Sequence, residues 1–168
     1  MRTVPSGPAY GAGVTQSAVV RIRRADEAEG ERLREIAIAA KAYWGYDLDW
    51  VRRWASDGDF SPRGLRSKEV YVAEVNRRVV AWAALLSTGD VLLLDDLWVE
   101  PECMGKGIGS LLFQHVAERA RALGAARLEW EAEPNSVGFY EKVGGRYLRE
   151  SERTSWGRVI PVMGLDLE

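Results

Sequence analysis

Between Val19 and Leu167 the spacing of apolar positions switches repeatedly between a strand-like and a helix-like period, and each switch marks an element. Val19 to Ala25, VVRIRRA, alternates and predicts a first strand. From Asp26 the period lengthens: Leu33, Ile36, Ala37 and Ala40, with Tyr43 or Trp44, share one helical face, and Gly45 suits the position past its end. DLDWVRRWASDG predicts a second helix, capped by Asp47 or Asp49, burying Trp50, Val51 and Trp54 and stopping at Gly58. EVYVAEV and RVVAWAALL, separated only by Asn76-Arg77, predict an antiparallel hairpin. After Gly89-Asp90, VLLLDDLWVE is apolar without clean alternation, as a central strand would be.

A longer helix runs to Leu123, its apolar face Ile108, Leu111 or Leu112, Val116, Ala120 and Leu123, with Gly124 as the stop. ARLEWEAE reads as a strand with Leu128, Trp130 and Ala132 on one face and Glu129, Glu131 and Glu133 on the other. PNSVGFYEKVGG predicts a short helix opened by Pro134 or Asn135 and closed by Gly144-Gly145. RYLRESER and RVIPVMGLDL close the chain as a strand pair joined through TSWG. The order predicts an α/β (α+β) fold: one mixed, mostly antiparallel sheet flanked by helices. Residues 1–18 read as a flexible N-terminal arm ahead of a single domain, 19–168.

Composition narrows the function. A net charge of −2 over 168 residues argues against nucleic acid as a main partner. No run approaches the roughly 20 apolar residues of a spanning helix, so no membrane role is expected. The arm lacks the apolar core of a signal peptide, and the single cysteine excludes an internal disulfide; both fit a cytoplasmic protein. One histidine weighs against a histidine-based metal site, and no metal is expected.

The chemistry concentrates in EPECMGKGIGSLLFQHV, where glycines 105, 107 and 109 stand between a strand and a helix. Free backbone N–H groups at such a helix start, aided by the helix dipole, favour a phosphate. The spacing is not that of a Walker A loop, and G-x-G-x-G in mid-chain is not the dinucleotide fingerprint. A packing turn is the remaining alternative.

LWVEPECMGKGIGSLLFQHV followed by PNSVGFYEKVGG resembles the GNAT superfamily of N-acetyltransferases. That family's signatures are a strand ending in Val-x-Pro, then Arg/Gln-x-x-Gly-x-Gly/Ala opening a helix, then Asn before Phe/Leu-Tyr-Glu-Lys-x-Gly. They fall here on Val99 and Pro101, on Gly107 and Gly109, and on Asn135 with Phe139 to Gly144. The resemblance implies splayed central strands and acetyl-CoA as cofactor. It assigns the pantetheine arm to main-chain groups of Leu97, Trp98 and Val99, and the pyrophosphate to N–H groups of Met104, Gly105, Lys106, Gly107, Ile108, Gly109 and Ser110. Asn135 would hold the cofactor's amide end, and Tyr140 would be the general acid that protonates the leaving thiolate.

Met104 stands where the family carries Arg or Gln, which removes one side-chain donor but no backbone donor. For the general base, the carboxylates Glu131 and Asp96 compete, with no single residue acting as base as the remaining option. Asp95 and Asp96, consecutive on a strand, would point to opposite faces. His115 and Cys103 are read as incidental. Trp44, Tyr46 and Trp156 are candidates to line an acceptor pocket, where aromatic faces attract a cationic amine. The implied function is acetyl transfer to a primary amine, on a small molecule or a protein N-terminus. A CoA-binding regulatory module without turnover is the alternative, and a homodimer is the prior for a soluble enzyme.

Overall fold

The computed structural model describes residues 18–168 apart from Asp90. The arm expected over residues 1–18 therefore lies outside the described residues, save its last. The elements run β1 (Val20–Arg24), α1 (Gly30–Tyr43), α2 (Leu48–Ser56), α3 (Pro62–Arg66), β2 (Glu69–Val75), β3 (Arg78–Thr88) and β4 (Val91–Val99). They continue with α4 (Ile108–Ala122), β5 (Arg127–Glu131), α5 (Val137–Lys142), β6 (Arg146–Glu150) and β7 (Pro161–Asp166). One seven-stranded sheet has the order β1-β2-β3-β4-β5-β7-β6, antiparallel except between β4 and β5.

Local chemistry explains most boundaries. Asp26 and Glu29 form a capping box that opens the turn ahead of α1, and the Asp47 side chain caps α2 by accepting from Trp50 N–H. The β2–β3 turn is made by Asn76 and Arg77, at φ 51° and 63°, so both central residues take the left-handed conformation of a tight hairpin. Pro62 with its Ser61 cap opens α3, a helix too short to show a period in the sequence.

The strands' period of two sends alternate side chains to opposite layers. Val70 and Val72 of β2, with Trp82 and Ala84 of β3, meet Leu33, Ile36 and Ala37 of α1. Tyr71 and Ala73, with Ala81, Ala83 and Leu85, meet Ile108, Leu112, Phe113 and Val116 of α4 on the other face. Trp82 Nε1 donates to the Leu33 carbonyl at 2.9 Å and pins α1 to the sheet. Leu112, not Leu111, faces the core; Leu111 and Leu123 are exposed. Trp50, expected inside, is only half-buried and lies edge-on to Trp156.

The feature that makes a site is a fork. β4 and β5 pair only at Leu92↔Leu128 and Leu93↔Glu129. Beyond that point β4 keeps β3 beside it, through Ala81↔Val99, but among the described residues its other edge has no strand. The end of β4 is held by Glu100, whose N–H donates to Val80 O and whose carboxylate accepts from Arg32 and Arg78.

Candidate active site

At the fork a cavity of about 420 Å³ opens between β4, the glycine turn, the end of β5 and α5. The turn begins with a single 3₁₀ turn, Pro101–Cys103, in which Met104 N–H donates to Pro101 O at 3.2 Å. The Met104 N–H is thus already bonded within the turn, and Met104 lines the cavity. Gly105 and Gly107 have φ of +74° and +80°, and a Cβ on either would meet nothing within 4 Å. Conformation rather than crowding therefore calls for glycine at both. Gly109 is needed for a different reason. A Cβ there would stand 3.3 Å from the Phe139 ring and 3.4 Å from Val99, so glycine lets the first turn of α4 close onto β4 and α5.

The first-turn N–H groups of α4 lack intrahelical partners, and Gly107, Gly109 and Ser110 bring that turn to the cavity wall. Ile108 is buried in the core and Lys106 is exposed, and neither residue lines the cavity. Open space above two glycines, free donors and a strand edge without a neighbour fit a pyrophosphate carried on an extended amide-bearing arm. Replacing Gly107 by alanine forces a Cβ into the left-handed region at a cost of about 1–2 kcal/mol. If the free turn escapes that strain by relaxing, binding must restore it, and CoA affinity in a calorimetric titration is expected to fall about tenfold, the equivalent of about 1.4 kcal/mol; unchanged affinity with a lowered thermal midpoint would mean that the turn keeps its shape.

Tyr140 lines the same cavity, and its ring packs against Trp130 at 4.9 Å and Phe139 at 5.1 Å between centroids. Burial, with the charge of Asp96, raises its phenol well above the ordinary value, so the side chain keeps its proton. Asp96 also lines the cavity. Its carboxyl is raised to about 7 by burial and by the Asp95 charge, against hydrogen bonding from Trp98 Nε1 at 3.0 Å and the Lys68 ammonium.

The two aspartates do not part to opposite faces as strand alternation predicts. Ala84 pairs with Asp96 but Leu85 pairs with Leu94, which leaves Asp95 as the extra residue of a β-bulge. The bulge turns both carboxylates to one ammonium: Lys68 Nζ is bonded to Asp95 and lies 3.6 Å from Asp96.

The family model for the acetyltransferase (GNAT) family matches residues 31–145. The chain belongs to the GNAT family. As a member it is an N-acetyltransferase that takes its acetyl group from acetyl-CoA. Among curated proteins it is similar to the peptidyl-lysine N-acetyltransferase YjaB of Salmonella typhimurium, 29% identical over 88% of this chain and 97% of that one. The PaiA N-acetyltransferase of Thermoplasma acidophilum, solved with coenzyme A, superposes with a TM-score of 0.73 at 22% identity, covering 88% of this chain and 99% of that one. YncA of Salmonella typhimurium, solved with acetyl-CoA, does so with a TM-score of 0.63 at 23% identity, covering 90% and 95%.

In this GNAT chain the cavity gathers Tyr140, Glu131 and Asp96 with Leu97, Trp98, Val99 and Asn135. Glu131 is an exposed wall residue at the end of β5. Of the acceptor aromatics only Trp44 reaches the cavity. Tyr46 instead donates to Glu133 Oε1 at 2.7 Å and stacks on Trp50, which Trp156 meets edge-on. Of the three rings expected to receive a substrate cation, Tyr46 is met by the protein's own: Lys41 Nζ lies 4.9 Å and the Arg158 guanidinium 5.1 Å from its centroid, and Lys41 also lies 5.9 Å from Trp50 and 5.3 Å from Trp54. Sequence reasoning missed Lys41, Lys68 and Glu133, because the ion pairs Lys41–Glu133 and Lys68–Asp95 join residues 92 and 27 apart in sequence. Cys103, set aside as incidental, lines the cavity. Among the described residues no helix is long and apolar enough to cross a membrane.

Proposed function

We propose that this chain transfers the acetyl group of acetyl-CoA to the ε-amine of lysine-type acceptors, with Tyr140 as general acid and Asp96 as general base. The observation that carries the proposal is convergence: the glycine turn, Tyr140 and Asp96 line one cavity at the β4–β5 fork. Bound there, acetyl-CoA supplies an acyl group activated as a thioester. The first turn of α4 binds and orients through its N–H groups, and the unpaired edge of β4 offers main-chain partners from Leu97 to Val99.

The acceptor arrives as an ammonium and must lose a proton before it can attack a carbonyl carbon. Asp96 suits that task, because a carboxyl near neutral pKa is both free to accept and basic enough. Tyr140 holds its proton at the same wall, where it can be donated to departing sulfur. Glu131, exposed at the cavity wall, also favours a cationic acceptor. Likeness to a peptidyl-lysine acetyltransferase supports lysine over other amines.

Acetyl-CoA is offered with lysine-containing peptides, free lysine and peptides whose only amine is the N-terminus, while thiol release and product mass are followed. Acetylation of ε-amines is expected. Thiol release only with N-terminal amines would replace the acceptor assignment. CoA binding with no thiol release above the acceptor-free background would favour a regulatory module instead.

A further inference from the structure

Glu133 lies just beyond β5, in the same alternation as Glu129 and Glu131, yet the three carboxylates have different fates. Glu129 pairs with Arg127 and Arg149, and Glu131 stands exposed at the cavity wall. The Glu133 side chain is only 8% exposed and gathers donors from three separate parts of the chain. Lys41, from the last turn of α1, bonds Oε2. Tyr46, from the link between α1 and α2, donates to Oε1 at 2.7 Å, and Asn135 Nδ2 donates to the same oxygen at 3.0 Å. Arg158, from the link between β6 and β7, extends the chain by donating to Tyr46 Oη at 3.0 Å. Burial pushes the Glu133 carboxyl up, but Lys41, Tyr46 and Asn135 together hold it below the ordinary value. It is therefore an anion, and only an acceptor, at neutral pH.

That constrains Asn135. A carboxylate takes hydrogen bonds and cannot donate one, so the Asn135 amide must turn its NH₂ group toward Glu133. Its carbonyl oxygen is then the end left for a ligand, and Asn135 lines the cavity. A carbonyl there can accept from an amide N–H, whereas the flipped amide would present hydrogens to it. Lys41, held among three aromatic rings, keeps the carboxylate charged and in place.

We propose that Glu133 is a positioning residue that fixes the Asn135 amide with its carbonyl toward the cofactor cavity and, through Lys41 and Tyr46, ties that orientation to α1 and the α1–α2 link. The inference rests on the reading of the cavity as an acetyl-CoA site.

CoA affinity of the full chain is measured by calorimetry for Glu133→Gln, Asn135→Ala and the double variant, with thermal midpoints beside it. Glutamine keeps the shape but can donate, so the amide is free to flip. Each single variant is expected to weaken CoA about tenfold, in line with loss of a charge-assisted contact. The double variant is expected to bind no worse than Asn135→Ala, because Glu133 acts through Asn135. A merely structural role would lower the midpoint, and its effect on affinity would add to that of Asn135→Ala. Glu133→Asp, which keeps the charge on a shorter arm, is the second variant if the glutamine protein does not fold; the same loss and the same non-additivity are expected. Unchanged affinity in the Glu133 variants, or additive losses, overturns the inference while leaving the cofactor site in place. No CoA binding by the unmodified chain overturns both.

Discussion

Tyr140→Phe is expected to lower kcat about 100-fold, the lower end of what a positioned general acid contributes, while CoA affinity stays within about twofold. The substitution removes one oxygen and leaves the ring. Its neighbours Phe113, Trp130 and Phe139 are aromatic, so the packing that seats α5 against the sheet is retained. Burial keeps the phenol protonated but makes it a weaker acid than a thiol of pKa about 8.5, so the proton passes only as negative charge develops on the departing sulfur. The measurement is steady-state thiol release at saturating acetyl-CoA and acceptor, beside a calorimetric titration with CoA. A kcat within threefold of the unmodified chain would remove Tyr140 from the chemistry and leave it as a core aromatic.

The second large effect is on the pH profile. With Asp96 raised to about 7, the rate under kcat/KM conditions for the acceptor should climb with pH through that value as the base ionises. Asp96→Asn is expected to abolish that limb and to lower kcat/KM about 100-fold, whereas Glu131→Gln should keep the limb. A limb that disappears with Glu131→Gln and survives Asp96→Asn would transfer the role of base to Glu131. Stability gives an independent control. A carboxyl whose folded pKa lies above its ordinary 3.8 binds its proton more tightly folded than unfolded, so its contribution weakens as pH rises from there to about 7. Replacing it by asparagine should therefore not lower the thermal midpoint at pH 8, and lost activity with an intact midpoint marks a catalytic role.

The elements were legible because each rests on local chemistry. Alternation in EVYVAEV, the turn at Asn76-Arg77 and the caps at Asp26 and Asp47 act within a few residues of themselves. The glycine turn and the Asn-to-Tyr segment were legible as family signatures. α3 was missed because a helix of five residues, Pro62–Arg66, has no period to read. Asp95 and Asp96 were misplaced because a bulge is a property of two strands, here β3 against β4, and the sequence of one strand does not contain it. Tyr46 and Trp156 were expected at a pocket, yet an aromatic ring serves equally well to hold an internal cation, as Tyr46 does with Lys41, or to pack on another ring, as Trp156 does on Trp50.

By itself the sequence determined the family, the order of strands and helices, the glycine turn, and Tyr140, Asn135 and the competing carboxylates Glu131 and Asp96 as candidate site residues. All of these follow from interactions short in sequence or from motifs short enough to match. Only the tertiary structure decided that β4 and β5 part after Leu93, that Met104 N–H is already bonded, that Lys68 serves both aspartates, and that Glu133 gathers Lys41, Tyr46 and Asn135. The reason is physical: a buried carboxylate requires donors, and those available to Glu133 come from elements up to 92 residues away that meet only when the sheet and its helices are packed.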